Sequence, residues 1–133
     1  MTKNPTFYNL DGNDANAIND YLRNLVSSTL YTLKEAGCIE IDYSDESISA
    51  TKLGFICSFY YLSHKTVALM DKLLKEHTRI DELIDILAKA EEFAGLPVRH
   101  NEDVLNEALA EIVPLKVPKH DMESPHVKSN LLL

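Results

Sequence analysis

The period of the apolar residues changes along this chain, and each change marks an element. Ile18, Tyr21, Leu22, Leu25, Val26, Thr29 and Leu33 follow i, i+3, i+4, i+7 spacing, which predicts an amphipathic helix. Asp14 is its N-cap, and Gly37 stands at the C′ position that favours a left-handed backbone. From Cys38 to Tyr43 the period shortens to 2. Ile39, Ile41 and Tyr43 share one face and Glu40 and Asp42 the other, as in a half-exposed strand. Ser44 to Ser47 makes a turn, and Ile48 begins a short return strand. Helix, tight stop, two-stranded ribbon and helix, in that order, predict the C-terminal part of a winged helix.

The stretch Thr51–Leu62, T-K-L-G-F-I-C-S-F-Y-Y-L, is apolar around most of a helical circumference, too much for a lone surface helix. It is expected to be buried from two sides, with Phe55, Phe59 and Tyr60 in the contact. On that reading Phe59→Ala costs about 3–5 kcal/mol. Further helices follow. Ser63 or Thr66 caps one carrying Val67, Met70, Leu73 and Leu74. Thr78 with Asp81 resembles a capping box and opens another that runs through Ile84 and Leu87 to Phe93, ended by Gly95 and Pro97. Asn101 caps a helix whose face is Leu105, Ala108, Leu109 and Ile112, closed by Pro114. Lys116 to Glu123 reads as a loop, and Ser124-Pro125 starts a last helix with Ser as N-cap and Pro at the first position. Before the first helix, Phe7, Tyr8 and Leu10 form an apolar lead-in to a turn at Asp11-Gly12. The expected fold is mainly α: a winged-helix portion over residues 1–53, then the start of a helical bundle over 54–133. The apolar end at Leu131, Leu132 and Leu133 suggests a piece of a longer protein whose leucines bury against something else.

Composition narrows the function classes. At 45% hydrophobic and 26% charged the chain is of globular type, with no apolar run near the roughly 20 residues of a membrane span. No signal peptide is evident, and Cys38 and Cys57 read as separate small hydrophobes in a reducing compartment. The net charge of −8 is spread evenly: four Lys+Arg against eight Asp+Glu in residues 1–53, and nine against thirteen in 54–133. That balance opposes autonomous binding to phosphate backbones. The exposed face of the first helix offers Arg23 and Lys34 against Asp14, Asp20 and Glu35, so protein contact suits it better than a nucleic-acid groove.

Motifs for chemistry are sparse. There is no G-x-x-x-x-G-K-[ST], no G-x-S-x-G and no H-E-x-x-H. His100, Asp103 and Glu107 fall at i, i+3 and i+7 and could ligate a metal or transfer a proton. A helix cap with an acidic first turn explains the same residue types more simply. Glu91-Glu92 diverge on a helix and read as a solvated face, and Tyr60 and Tyr61 read as core rather than a base-stacking platform.

Five stretches in one order carry a resemblance: N-P-T-F-Y-N-L at 4–10, G-C-I-E-I at 37–41, L-G-F-I-C-S-F-Y-Y-L at 53–62, L-P-V-R-H-N-E-D at 96–103 and S-P-H-V-K-S-N-L-L-L at 124–133. Together they resemble the two-cassette, Ski-two-like RNA helicases of superfamily two. The matching region is the end of the winged helix and the start of the Sec-sixty-three homology unit in the C-terminal cassette. Phe55 departs from the family's frequent Arg or Met, and Phe7 and Phe59 from its frequent Tyr. The resemblance includes the spliceosomal type, to which it inclines, and the activating signal cointegrator type. It implies a non-catalytic scaffold in a nuclear helicase, with ATP and magnesium held by motor domains outside this stretch and no cofactor within it. The implied partners are those motor domains and other spliceosomal or helicase-complex proteins, with RNA met only in the full helicase and no membrane. The candidate interface residues are Phe55, Phe59, Tyr60, Arg99, His100 and Asn101. The rival readings are a nucleic-acid-binding winged helix of a cointegrator or DNA-repair type helicase, and a small metal enzyme using His100 and Asp103.

Overall fold

The computed structural model describes residues 1, 3–10, 14–113 and 121–133. The turn expected at Asp11-Gly12, the stop at Pro114 and most of the loop before Glu123 lie outside them. The described chain is mainly helical. It divides into two units, Met1–Thr51 and Lys52–Leu133.

The first unit opens with a 3-10 turn, Pro5–Tyr8, whose Tyr8 ring meets Tyr21 edge-on at 6.2 Å while Leu10 is buried. Helix α1 spans Ala15–Glu35, and its Asp14 cap accepts from the Ala17 N–H at 3.2 Å. At the far end Gly37 has φ 70°, and the Cys38 N–H returns to Leu33 O at 2.9 Å. Only a residue without a Cβ takes that turn freely, so the helix stops where the glycine is. Strands β1, Ile39–Asp42, and β2, Ser47–Ala50, pair antiparallel with Ile39 opposite Ala50 and Asp42 opposite Ser47. Along β1 the isoleucines are half-buried and the carboxylates exposed, the period-2 pattern of the sequence. Asp42 and Asp45 accept from the N–H groups of Ser44 and Ser47 and so shape the turn.

The second unit is all helical in its regular elements: α2 (Lys52–Phe59), α3 (His64–Leu73), α4 (Ile80–Ala88), α5 (Glu102–Ala110) and α6 (Pro125–Leu132). Its core is small, built on Val67, Ile86, Ala88, Ala90, Met122 and Leu131. Polar ties connect the helices. Asn106 of α5 donates to Met122 O, His126 Nδ1 of α6 lies 2.9 Å from Ala88 O, and Asn130 of α6 donates to Asp85 of α4.

Several boundaries differ from the sequence expectation. Ser63, not Thr66, caps α3, through a bond from the Lys65 N–H. Helix α4 begins at Ile80 because Glu82, rather than Asp81, reaches back to the Arg79 N–H, while Thr78 is taken by the Lys75 N–H. It also ends at Ala88, and Glu91–Phe93 is a separate 3-10 turn. On α5 the expected face is open: Leu105 and Ile112 are exposed and Asn106 is the buried residue. Ser124 precedes Pro125 at the start of α6 as expected, though its hydroxyl makes no cap bond.

Candidate interaction surface

Helix α2 reverses the expectation of two-sided burial. None of its residues is buried; Phe55, Phe59 and Tyr60 are 67%, 76% and 65% exposed, and Tyr61 is 95% exposed. The helix is apolar nearly all round, but only its Leu53, Gly54 and Cys57 side is partly covered. Phe59 and Tyr60 meet edge to face at 5.0 Å and 81°. The chain then leaves the helix through Tyr61 at φ 56°, with the Leu62 N–H bonded to Cys57 O at 2.9 Å. A side-chain-bearing residue in this left-handed position costs roughly 1–2 kcal/mol, and here it projects a whole aromatic ring into solvent. The Phe59–Tyr60 pair is exposed, as are Phe55 and Tyr61, and exposed apolar surface of this kind marks a candidate contact site. Phe59→Ala is therefore expected to change the stability of the chain by no more than about 0.5 kcal/mol, against the 3–5 kcal/mol of a buried ring. A urea titration of both proteins checks this.

The segment 96–103 is organised by Glu102. Its carboxylate accepts from the Arg99 main-chain N–H at 2.8 Å and from Lys128 Nζ at 2.6 Å, and the lysine also donates to Pro97 O at 2.9 Å. Those partners, the Arg99 N–H first and Lys128 next, hold the Glu102 carboxyl below its ordinary 4.5. Asn101 does not cap α5 with its side chain. It takes a left-handed turn at φ 66° instead, a conformation asparagine tolerates better than most residues. Arg99 and His100 are exposed and, with Asn101, Asp103 and Glu123, line a surface hollow of about 420 Å³. Among the described residues no three His, Cys, Asp or Glu side chains gather closely enough to hold a metal, so His100, Asp103 and Glu107 are not brought together as a ligand set.

Glu91 and Glu92, read from the sequence as a solvated pair, form a clasp. Glu92 accepts from the Ser63 N–H at 2.7 Å and from the Thr66 hydroxyl at 2.5 Å, and Thr66 Oγ1 accepts from the Glu91 N–H at 2.9 Å. Lys65 pairs with Glu91 at 2.7 Å. Partial burial pushes the Glu92 carboxyl up, but the Ser63 N–H and Thr66 hydroxyl outweigh it and hold the group below 4.5. A helix-breaking step before Glu91 was the missing signal, since only a separate turn brings both carboxylates back to α3.

In the first unit, α1 carries no buried residue, and Leu25 and Val26 of its apolar stripe are exposed. Lys34 is engaged with Tyr43, donating to its hydroxyl at 3.2 Å and lying 4.8 Å from the ring centroid. Its polar face is not a basic surface.

Comparison with known proteins matches residues 50–133 to the Sec63 Brl domain and residues 1–43 to a winged helix-turn-helix domain. Over all 133 residues the chain is 44% identical to activating signal cointegrator 1 complex subunit 3 of Bos taurus and 42% identical to the same subunit of Homo sapiens. It is 38% identical, again over its full length, to the U5 small nuclear ribonucleoprotein 200 kDa helicase of Homo sapiens. The chain spans 6% of the length of each of these relatives.

Proposed function

The chain belongs to the Sec63 Brl domain family, with a winged-helix region ahead of that domain, and on this premise we propose that it is a non-catalytic scaffold of a nuclear ATP-dependent RNA helicase. The winged-helix portion covers residues 1–53 and the bundle 54–133. Motor domains of the same helicase carry ATP and magnesium, and this chain holds neither. RNA is met only within the full helicase.

The observation that carries the reading is uncovered apolar surface. Large hydrophobic side chains stand in solvent, among them Phe55, Phe59 and Tyr60. These three dock on the motor domains, and Arg99, His100 and Asn101 form a second, polar contact. Of the two parent types, 44% against 38% identity favours the cointegrator complex; a role in pre-mRNA splicing rests on the likeness to the U5 helicase.

Calorimetric titration with the C-terminal motor domains of a cointegrator-type helicase tests the assignment. Saturable binding is expected, abolished by Phe59→Asp, with no ATP turnover by the chain alone. Wild-type chain that does not bind, or that hydrolyses ATP at a substantial rate, overturns it.

A further inference from the structure

The ribbon of the first unit has an open edge, and we propose that β1 accepts a third strand from an extended, basic segment of a partner protein. The bond from the Thr51 N–H to Cys38 O sets the phase of the ladder. In an antiparallel pair hydrogen-bonded and non-bonded positions alternate, so Glu40/Ser49 and Asp42/Ser47 are the bonded pairs of this register. Ile39 and Ile41 consequently turn their N–H and C=O groups away from β2. Neither makes a main-chain hydrogen bond beyond the ribbon, and no third strand exists among the described residues. An unpaired edge of this kind is a template for another strand.

Charge selects the occupant. Glu40 and Asp42 share a face of β1, and Asp45 and Glu46 follow at the tip. A second copy of this strand would set like charges against one another, which destabilises pairing. Nucleic acid is repelled for the same reason. A segment with Lys or Arg opposite Glu40 and Asp42, and β-branched residues opposite Ile39 and Ile41, meets both the charge and the main chain. Lys34, the nearby cation, is already occupied by Tyr43.

The test uses the full chain and a short fluorescent peptide of alternating lysine and valine. It adds a glutamate-valine counterpart and a lysine-valine peptide N-methylated at alternate residues along one edge. The lysine-valine peptide is expected to bind, more weakly as salt rises, and to protect the Ile39 and Ile41 amides from hydrogen exchange. Glu40→Lys, which leaves the ladder intact, should weaken binding about fivefold. The counterpart and the N-methylated peptide should not bind. Failure of the lysine-valine peptide at low salt, equal binding of its N-methylated form, or protection absent from Ile39 and Ile41 each overturns the proposal.

Discussion

Leu131→Ala is expected to lower the unfolding free energy of the second unit by about 2–5 kcal/mol, while Leu132→Ala changes it by less than about 0.5 kcal/mol. The two leucines are neighbours in sequence and chemically identical. Leu131 is 5% exposed and Leu132 is 65% exposed. Helix α6 presents one face to the rest of its unit, with Ser129 bonded back to Pro125 O, Asn130 bonded to Asp85, and Leu131 in the core. Leu132, one residue further on, stands in solvent instead. Truncating Leu131 removes apolar area from a core with few other large members, so a collapse that refills the space has little to draw on. Urea unfolding followed by circular dichroism reads the difference directly. Equal midpoints for the two variants would mean that α6 is docked by some other face.

Thr66→Val is expected to cost about 2–3 kcal/mol although it preserves the shape of the side chain. Thr66 is 1% exposed and sits at the centre of the clasp, donating to Glu92 and accepting from Glu91. Valine fills the same volume but leaves the Glu91 N–H without an acceptor and takes one donor from the Glu92 carboxylate. The pH dependence separates this from a packing defect. The Glu92 carboxyl is held below its unfolded value of 4.5, so its contribution is fully present above pH 4.5 and is lost as the pH falls through the lower folded value. The stability gap between wild type and Thr66→Val should accordingly narrow on acidification below pH 4.5. Glu102 is depressed in the same direction by the Arg99 N–H and Lys128. Lys128→Met removes the second of those donors and should move the onset of acid unfolding upward in pH. A gap between wild type and Thr66→Val that stays constant from pH 7 to pH 3 would show that the clasp does not depend on the carboxylate.

The elements of the first unit were readable before any coordinates. An Asp that accepts from the N–H three residues on, a glycine at a left-handed turn and an alternating Ile-Glu-Ile-Asp each act within a few residues. The ordered motifs from Asn4 to Leu133 were equally legible, and the match of residues 50–133 to the Sec63 Brl domain agrees with them. Less was legible where two distant segments compete for one group. The Thr78–Asp81 pair looked like a capping box, but Thr78 is used by Lys75 and the reciprocal carboxylate is Glu82. Asn101 has the residue type of a side-chain cap and instead contributes a left-handed backbone, because Glu102 already ties this turn to Arg99 and Lys128. Glu92 gave no local sign of its role, since its partners Ser63 and Thr66 are 29 and 26 residues away.

Periodicity, caps and turn residues determined where helices and strands begin and end, because those forces act over one turn of chain. Which apolar face is covered is another matter, for burial depends on what other surface meets it. The sequence of α2 predicts an apolar helix correctly, but the two-sided burial inferred from its all-round apolar character is not met. Only the tertiary structure decided that Leu131 lies inside while Phe59, Tyr60 and Tyr61 stand in solvent. The same apolar rings that would have been core under a complete covering stand, without one, in solvent.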